Sequence, residues 1–558
     1  MNYVDNLPEI DPTHHERPST TVFTSQTTPS TISTALASTI STAIATPSSP
    51  SSGPNNTIPV YDTSDKRVRY QLACNFTTTF CNKVSTAVRS AIDEFTRVVD
   101  IKNDLIIRVT YYNFCDKRCT NSTLAWGAPT SQFTLPFEEG ADLNYVYPQA
   151  LAKQLAPYSN TSVWADYDVD IEINHDIYLN AVDYDKARSH GWNGTGVPGP
   201  GKFWFQNDTA IGPDQVDLRY IVLHELLHGL GFISAWAAYF WTDASPFRLL
   251  VDGIIDPRDL QLVTPGPYWF VNDNTGPTFI TGFQPTMIFD KYLVSLETDE
   301  DNVTKPVNLS DLGFDMQNFC VQDSAAFIIN FVKEFNASPQ SIDANRLWIS
   351  MTQKETLKFK FPPTTVANSS YNLNPYLNQT YHSMTLLTGE DVLNSQLEQL
   401  DRTSNRPGMS ISHVDDSYAT KPDFLMTATY ITGQTLEDLV EDTYSDIPVI
   451  RYNSSLANGS ITEHTYKSAV GPGILRILDS MGYSTVLTKT NYTTEGNVKS
   501  PKPRSVCDDS NSNHGLNKVA PSASSDAASL YSLLYCYCPL KILWYWLGLL
   551  LVITLPLF

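Results

Sequence analysis

Apolar residues recur at helical intervals in two parts of the chain. Between Val84 and Val99 they are spaced three to four residues apart, which predicts an amphipathic helix. A second helix is predicted to start at Asp214, its N-cap, and to end at Gly229 and Gly231. One face of this second helix is expected to lie in the core and the adjacent face to carry chemistry. Its apolar stripe consists of Val216, Tyr220, Leu223, Leu227 and Leu230.

Two other segments have the patterns of β-strands. Residues 105–112 are rich in β-branched and aromatic side chains, and residues 163–174 alternate apolar with polar positions. Residues 236–405 alternate aromatic-rich pieces with pieces rich in Asn, Pro and Gly, which predicts β structure with long loops. Helices and strands together predict an α+β fold class for a domain spanning residues 61–485.

The second predicted helix carries a metal-binding motif, His224-Glu225-Leu226-Leu227-His228, which reads H-E-x-x-H. Residues four apart on a helix share a face, so both imidazoles can bind one ion. Neutral imidazole suits Zn²⁺, and a catalytic zinc site has three protein ligands and a position for water. Glu225 lies beside that water, where a carboxylate can accept a proton and pass it to a leaving amine. The motif therefore predicts a zinc hydrolase with one Zn²⁺ per chain.

The third zinc ligand must come from outside this motif. In the common metzincin pattern H-E-x-x-H-x-x-G-x-x-H, the last position is occupied here by Ser234. His413 is the favoured third ligand because of the sequence that follows it, and His382 is the alternative. A different zinc architecture takes this ligand from a glutamate on a downstream helix. The glutamates available for it are Glu297, Glu300 and Glu334.

The order of these landmarks resembles the leishmanolysin-type metzincins, a family of zinc peptidases. Residues 224–232 read H-E-L-L-H-G-L-G-F, and His413 follows after a long interval. A Leu-Met pair at residues 425–426 resembles the Met-turn of that family, and residues 471–483 resemble its closing helix. The resemblance covers about residues 165–235 and 410–485.

This resemblance implies a metzincin-like zinc metalloprotease domain with a large β- and loop-rich insertion, at about residues 236–405, between the second and third ligands. It implies that Glu225 is the general base, that Met426 lies beneath the metal without binding it, and that Gly231 is the structural glycine of the motif. The implied metal ligands are His224, His228 and His413.

The rest of the chain indicates export. Residues 1–60 are dominated by Ser, Thr, Pro and Ala, which predicts a disordered, O-glycosylated stalk, although no ordinary signal peptide precedes it. Six cysteines lie outside the C-terminal tail and predict disulfides, with the close pairs Cys74 and Cys81, and Cys115 and Cys119. Zinc binding by Cys115 and Cys119 is the alternative.

Fourteen Asn-x-Ser/Thr sequons predict a glycoprotein. Their spread over the chain predicts a glycosylated surface through most of the folded region. Their asparagines are Asn55, Asn75, Asn121, Asn160, Asn193, Asn207, Asn302, Asn308, Asn336, Asn368, Asn378, Asn453, Asn458 and Asn491.

The C-terminus has the composition of a membrane anchor. A linker is predicted over residues 486–526, followed by small residues, a short spacer and seventeen uncharged residues at the end of the chain. No basic tail follows the apolar stretch, so residues 527–558 fit a GPI-attachment signal, and a single transmembrane span is the alternative.

The net charge of −22 and sequence pI of about 4.8 argue against nucleic acid as a partner. The sequence thus predicts a cell-surface or secreted zinc metalloendopeptidase that acts on protein or peptide substrates and is held at the membrane by its C-terminal anchor. The alternatives are a non-catalytic, adhesin-like surface or wall glycoprotein that retains the metzincin fold, and a zinc hydrolase acting on something other than peptides.

Overall fold

The computed structural model describes residues 58–116, 123–137, 140–155, 164–241, 245, 247–271, 277–298, 304–363, 367–389, 410–455 and 459–492. Most of the predicted stalk, most of the predicted linker and the whole predicted C-terminal anchor lie outside these residues.

The first part of the fold, residues 58–241, combines strands with helices, and the last of these helices is the second predicted helix. The strands are β1 Val60–Asp62, β2 Val68–Cys74, β3 Val99–Asp100, β4 Leu105–Tyr112, β5 Ala125–Pro129, β6 Gln132–Phe137, β7 Gly140–Pro148, β8 Val169–Asn174, β9 Phe203–Trp204 and β10 Val216–Asp217. The helices are α1 Thr78–Thr96, α2 Gln149–Leu155, α3 His175–Asn180, α4 Tyr184–Ser189 and α5 Leu218–Gly229.

A five-stranded sheet forms the base of this part, with the strand order β1-β2-β4-β8-β5. Strands β2, β4 and β8 are parallel, whereas β1 and β5 run antiparallel to their neighbours. The predicted strand at residues 105–112 is confirmed, and its side chains alternate between buried and half-buried. Of the predicted strand at residues 163–174, only the second half forms. Strand β5 is an edge strand of this sheet.

Helices α1 and α5 pack against each other, with α1 also contacting β2 and α5 contacting β5 and β8. Helix α1 starts six residues before the predicted Val84, because the side chain of Thr77 caps it by accepting a hydrogen bond from the backbone N–H of Phe80. The prediction of Asp214 as the N-cap of α5 is wrong. Residues 216–217 pair with β9, and the Asp217 side chain caps the helix.

The predicted insertion contains more helix than expected. Its strands are β11 Pro267–Val271, β12 Thr278–Phe283, β13 Thr286–Met287, β14 Leu293–Thr298, β15 Thr304–Asn308, β16 Leu357–Lys360 and β17 Ser383–Thr385. Its helices are α6 Arg248–Val251, α7 Leu309–Gln317, α8 Ile328–Asn336, α9 Pro339–Met351, α10 Ser370–Leu373 and α11 Pro375–Thr380. Helices α7, α8 and α9 replace the loops that the sequence pattern predicted.

The insertion shares one hydrophobic core with the first part of the fold. Its sheet has the order β15-β14-β16-β17, and β13 pairs in parallel with β7 of the first part. The buried carboxylate of Asp290 accepts hydrogen bonds of 2.9 Å from the backbone N–H groups of Ala235 and Met287. This contact ties the start of the insertion to the 3₁₀ turn at residues 288–292.

The C-terminal part returns the chain to its beginning. It comprises α12 Leu436–Ser445, β18 Ile450–Ser455, β19 Ile461–Tyr466, α13 Pro472–Met481 and β20 Ser484–Thr485. Helix α13 confirms the helix predicted at residues 471–483. Strand β20 pairs with β3, so the closing segment is fixed against the first part of the fold.

Three buried carboxyl groups make the stability of the fold depend on pH. Burial raises the pKa of Asp290 and Asp479 to about 7 and that of Asp423 to about 6. A raised pKa in the folded state stabilises the fold below the unfolded pKa of about 3.9, and this contribution is lost as pH rises to about 7. We expect each of these three groups to lower the free energy of unfolding over this interval, by at most about 1.4 kcal/mol per pH unit, and we measure this contribution as a difference between variants because the buried histidines change stability in the opposite sense.

The test is urea unfolding between pH 4 and 8 of the wild type and Asp290→Asn, with exposed Asp185→Asn as the control. Asn keeps an acceptor for the two backbone N–H groups but carries no charge. The Asp290 variant should lose less stability with rising pH than the other two proteins. Three parallel curves would contradict the assignment.

Of the predicted disulfides, Cys74–Cys81 forms and links the end of β2 to the first turn of α1. Cys115 is also disulfide-bonded, which removes it as a thiolate ligand for zinc. Cys119 and Cys507 lie outside the described residues. Within the described residues, no helix is long and apolar enough to cross a membrane.

Candidate metal centre

Helix α5 is buried along its whole length, including its histidines and glutamate. All twelve residues from Leu218 to Gly229 are buried. At its N-terminus Asp217 accepts hydrogen bonds from the backbone N–H groups of Arg219, at 2.9 Å, and of Leu436, at 3.0 Å. The Arg219 guanidinium also pairs with Glu437 at the start of α12. The helix is therefore held between the sheet and the C-terminal part.

Strand β5 lies so close to α5 that only glycine fits at the contact. A Cβ atom on Gly127 would lie 2.0 Å from the carbonyl oxygen of Glu225. We expect Gly127→Ala to push β5 away from the helix and to lower the free energy of unfolding by about 1–3 kcal/mol or more. Thermal and urea unfolding measure this loss.

Gly229→Ala is the matched comparison, because its Cβ would meet a side chain, with 2.1 Å to Cγ1 of Val169. A side chain can move and a helical carbonyl cannot, so Gly127→Ala should be the more damaging of the two. Equal stability of Gly127→Ala and the wild type would contradict the close approach.

A turn after α5 orients the second histidine. Gly231 has φ +110°, a left-handed conformation that favours glycine, and it reverses the chain. The reversal brings the carbonyl oxygen of Phe232 to 2.8 Å from Nδ1 of His228. Because a carbonyl can only accept, Nδ1 of His228 carries the proton in this contact.

The 3₁₀ turn Phe424–Met426 orients the other two histidines. The carbonyl oxygen of Leu425 lies 2.7 Å from Nδ1 of His224 and accepts its proton. The carbonyl oxygen of Met426 accepts a hydrogen bond of 2.8 Å from the backbone N–H of Val414, next to His413. Met426 is fully buried. The turn thus positions His224 directly and His413 through its neighbour.

These contacts bring three histidines from two distant segments together. One ligand nitrogen from each of His224, His228 and His413 lies within 4.8 Å of the others, and all three residues are buried. Their ring centroids form a triangle with sides of 4.8, 5.0 and 5.3 Å.

The geometry of the first two histidines fits a cation. Burial lowers the pKa of His228 to about 4, and burial with its two histidine neighbours lowers the pKa of His224 well below its ordinary value, so both rings are neutral at physiological pH. Their protons are on Nδ1, which leaves Nε2 of each as a lone-pair acceptor. These two Nε2 atoms lie 3.1 Å apart, and because neither carries a proton, no hydrogen bond can form between them.

A cation between the two nitrogens would bind both lone pairs and so remove their mutual repulsion. Tetrahedral zinc with Zn–N bonds of about 2.0–2.1 Å places two ligand nitrogens about 3.3 Å apart. The Nδ1–H groups of His224 and His228 each donate to a backbone carbonyl, which is one of the common outer partners of a zinc-bound imidazole. The donor set and its partners therefore fit a zinc ion held by the three histidines.

Glu225 lies beside this cluster and has a hydroxyl partner. Tyr430 donates a hydrogen bond of 2.7 Å to Oε1 of Glu225, and its ring centroid lies 5.1 Å from that of His224. Burial and the charge of Glu225 raise the pKa of Tyr430, which keeps its hydroxyl protonated as a donor. Sequence reasoning missed Tyr430, because no local pattern marks a contact between residues 205 positions apart.

The other candidate ligands lie elsewhere. His382 is exposed, and neither it nor Glu297 or Glu334 belongs to the histidine group. Glu300 lies outside the described residues. The backbone N–H of Ser234 donates a hydrogen bond of 3.0 Å to Oγ of Ser412 and so connects the segment after α5 to the segment that carries His413.

Comparison with known proteins shows a family and a distant relative. The relative is a Schizosaccharomyces pombe protein described as uncharacterized protein PB7E8.01, 23% identical over 421 residues. The match covers 73% of this chain and 59% of the relative, so the chain spans less than two thirds of that protein's length. No solved structure matches the chain at a significant level.

The family model described as SPBPB7E8-like matches residues 34–190 and 201–523. These residues include α5, His413 and Tyr430, so the whole histidine cluster lies within the matched region. The chain belongs to the SPBPB7E8-like family.

Proposed function

We propose that the protein is a zinc-dependent endopeptidase with a single metal site of metzincin type. The observation that carries this proposal is the pair of opposed Nε2 atoms of His224 and His228, with His413 completing the triangle and Glu225 beside it. Three histidines and one adjacent carboxylate form a set of ligands and base that suits a hydrolytic zinc site.

Each residue of the site has a defined task in peptide hydrolysis. A bound zinc ion would supply a Lewis acid that polarises the scissile carbonyl and lowers the pKa of a water molecule. Glu225 accepts the proton of the attacking water and then donates it to the leaving amine. The carbonyl oxygens of Leu425 and Phe232 hold the imidazoles of His224 and His228 in the tautomer that presents Nε2.

An extended peptide is the substrate that the surroundings favour. Strand β5 is an edge strand, and its central Gly127 packs on the backbone of Glu225. A peptide that adds to this edge would run past the general base with its backbone hydrogen-bonded to the strand. This arrangement supports cleavage within a chain rather than removal of a terminal residue.

A cell-surface or secreted location, with a GPI or transmembrane anchor, is part of the same proposal. Nine of the fourteen sequon asparagines lie in described residues, and all of these except Asn336 are exposed. Asn336 is half-buried, and its Nδ2 donates to the carbonyl oxygens of Asp259 and Val332 at 2.9 and 3.0 Å. The other five, Asn55, Asn121, Asn160, Asn302 and Asn458, lie outside the described residues.

The direct test is metal-dependent proteolysis by the purified protein. Dye-labelled, heat-denatured casein serves as the probe, and cleavage is followed before and after treatment with 1,10-phenanthroline and after zinc is returned. We expect cleavage that stops on chelation and recovers with about one equivalent of Zn²⁺. A folded, zinc-loaded protein that cleaves neither casein nor a random decapeptide library would instead support the non-catalytic surface glycoprotein.

A further inference from the structure

Tyr430 contacts the general base of the proposed reaction, but that reaction gives it no role. Its hydroxyl lies 2.7 Å from Oε1 of Glu225. We propose that Tyr430 is a positioning residue that fixes the Glu225 carboxylate for proton transfer. This inference rests on the proposed function and adds a residue to its machinery.

The ring of Tyr430 is itself held by the residues of α5. It packs against His224 with a centroid distance of 5.1 Å and meets the ring of Tyr220 edge-on at 5.5 Å. Both neighbours are buried. The aromatic contacts therefore fix the orientation of the Tyr430 ring. These contacts remain when the hydroxyl is removed.

The segment that carries Tyr430, residues 427–436, is fixed at both ends. At its start, the Thr427 hydroxyl donates a hydrogen bond of 2.9 Å to the carbonyl oxygen of Phe424 in the Met-turn. At its end, the Leu436 N–H donates to the buried carboxylate of Asp217 at 3.0 Å. Between them, the Gly433 N–H donates to the carbonyl oxygen of Gln215 at 2.9 Å. The segment is a strap across the N-terminus of α5.

A fixed carboxylate matters for chemistry more than for binding. The terminal torsion of glutamate is broad, so without a partner the two oxygens would turn over a wide range. A hydrogen bond from Tyr430 to Oε1 restrains this torsion, while each carboxylate oxygen retains lone pairs that can accept a proton. Loss of the restraint should lower kcat and leave KM nearly unchanged, because the peptide contacts remain.

The test compares Tyr430→Phe with the wild type. This variant keeps the ring and removes only the hydroxyl. We expect kcat to fall by about tenfold to a hundredfold, as for loss of a hydrogen bond to a charged group. KM should stay within about twofold and zinc at one per chain, since the ligands are untouched.

A second readout does not depend on activity. Acetohydroxamate binds active-site zinc and donates its hydroxyl proton to a neighbouring carboxylate, so its dissociation constant reports the position of Glu225. We expect Tyr430→Phe to weaken acetohydroxamate binding by about tenfold. In a Glu225→Asp background the carboxylate is too short to reach the tyrosine, so Tyr430→Phe should cause no further loss of kcat or affinity there.

Tyr178→Phe is the control, because it also removes a buried tyrosine hydroxyl. That hydroxyl donates a hydrogen bond of 2.9 Å to the carbonyl oxygen of Pro198, away from the site. The Tyr178 variant should match the wild type in both readouts. Unchanged kcat and hydroxamate affinity in Tyr430→Phe, or equal losses in the wild-type and Glu225→Asp backgrounds, would overturn the positioning role. If the wild type binds zinc but cleaves no peptide, the protease proposal fails and the hydroxamate comparison still decides on Tyr430.

Discussion

Glu225→Gln is expected to abolish most peptide cleavage and to leave zinc in place. The amide has nearly the shape of the carboxylate and keeps an oxygen that can accept the Tyr430 hydroxyl, so the site should stay assembled. It cannot accept the proton of the attacking water. General acid–base catalysis contributes about 10²–10⁴-fold, and we expect kcat/KM to fall by that factor.

The measurement is the rate of casein cleavage beside zinc content by mass spectrometry. Glu172→Gln serves as a control, because Glu172 is a half-buried glutamate on strand β8 that accepts a hydrogen bond of 3.3 Å from Tyr112 and is not part of the histidine cluster. Full activity in Glu225→Gln would show that another group is the base. Loss of zinc would show that Glu225 has a structural part in the metal site.

His413→Ala is expected to remove both zinc and activity. His224 and His228 would remain as two ligands, one fewer than a catalytic zinc site uses. Loss of an outer hydrogen-bond partner alone costs about 10–100-fold in metal affinity, so loss of a ligand should cost more than about 100-fold. The local backbone should persist, because the hydrogen bonds from Leu387 N–H to the His413 carbonyl and from Val414 N–H to Met426 do not use the imidazole.

Exposed His382 gives the matched variant, His382→Ala, which should keep zinc and activity. Zinc affinity is measured by competition with a chromophoric chelator, and circular dichroism checks that the variants fold. Full zinc affinity in His413→Ala would move the third ligand to another residue.

The motif helix could be predicted from sequence because its information is local. Spacing of four residues fixes the relative direction of His224 and His228 on any helix. The helix start could not be predicted in the same way. Asp214 and Asp217 are both good caps by type, and the choice between them depends on the pairing of β10 with β9, which is a tertiary contact.

Part of the insertion has apolar residues at helical spacing, although its aromatic-rich pieces predicted β structure. Helix α8 has its buried residues Ile328, Phe331, Val332 and Phe335 at helical spacing, and this signal was available. The short aromatic runs elsewhere in the insertion are typical of strands, and the prediction of β structure for residues 236–405 followed from them. Tyr430 is different, because its contact with Glu225 depends on the path of residues 427–436 and of the 3₁₀ turn Phe424–Met426 before them. No single-sequence pattern encodes that distance.

Asp290 also illustrates this limit. Its sequence neighbourhood is Phe289-Asp290-Lys291-Tyr292, with two charged residues between aromatics. This pattern fits either the lining of a substrate groove or the end of a structural strand. In the structure the carboxylate is fully buried and holds two backbone N–H groups from different segments. Burial of a single charge cannot be inferred without knowing which segments meet there.

X-ray absorption at the zinc edge of the purified wild-type protein tests the central claim most directly. It reports the metal, its ligand atoms and their distances in one measurement. A zinc ion bound by three histidines predicts imidazole scattering from three nitrogens at about 2.0–2.1 Å and one further light atom. A folded protein without zinc, or zinc with sulfur at about 2.3 Å, would contradict the three-histidine site and the peptidase built on it.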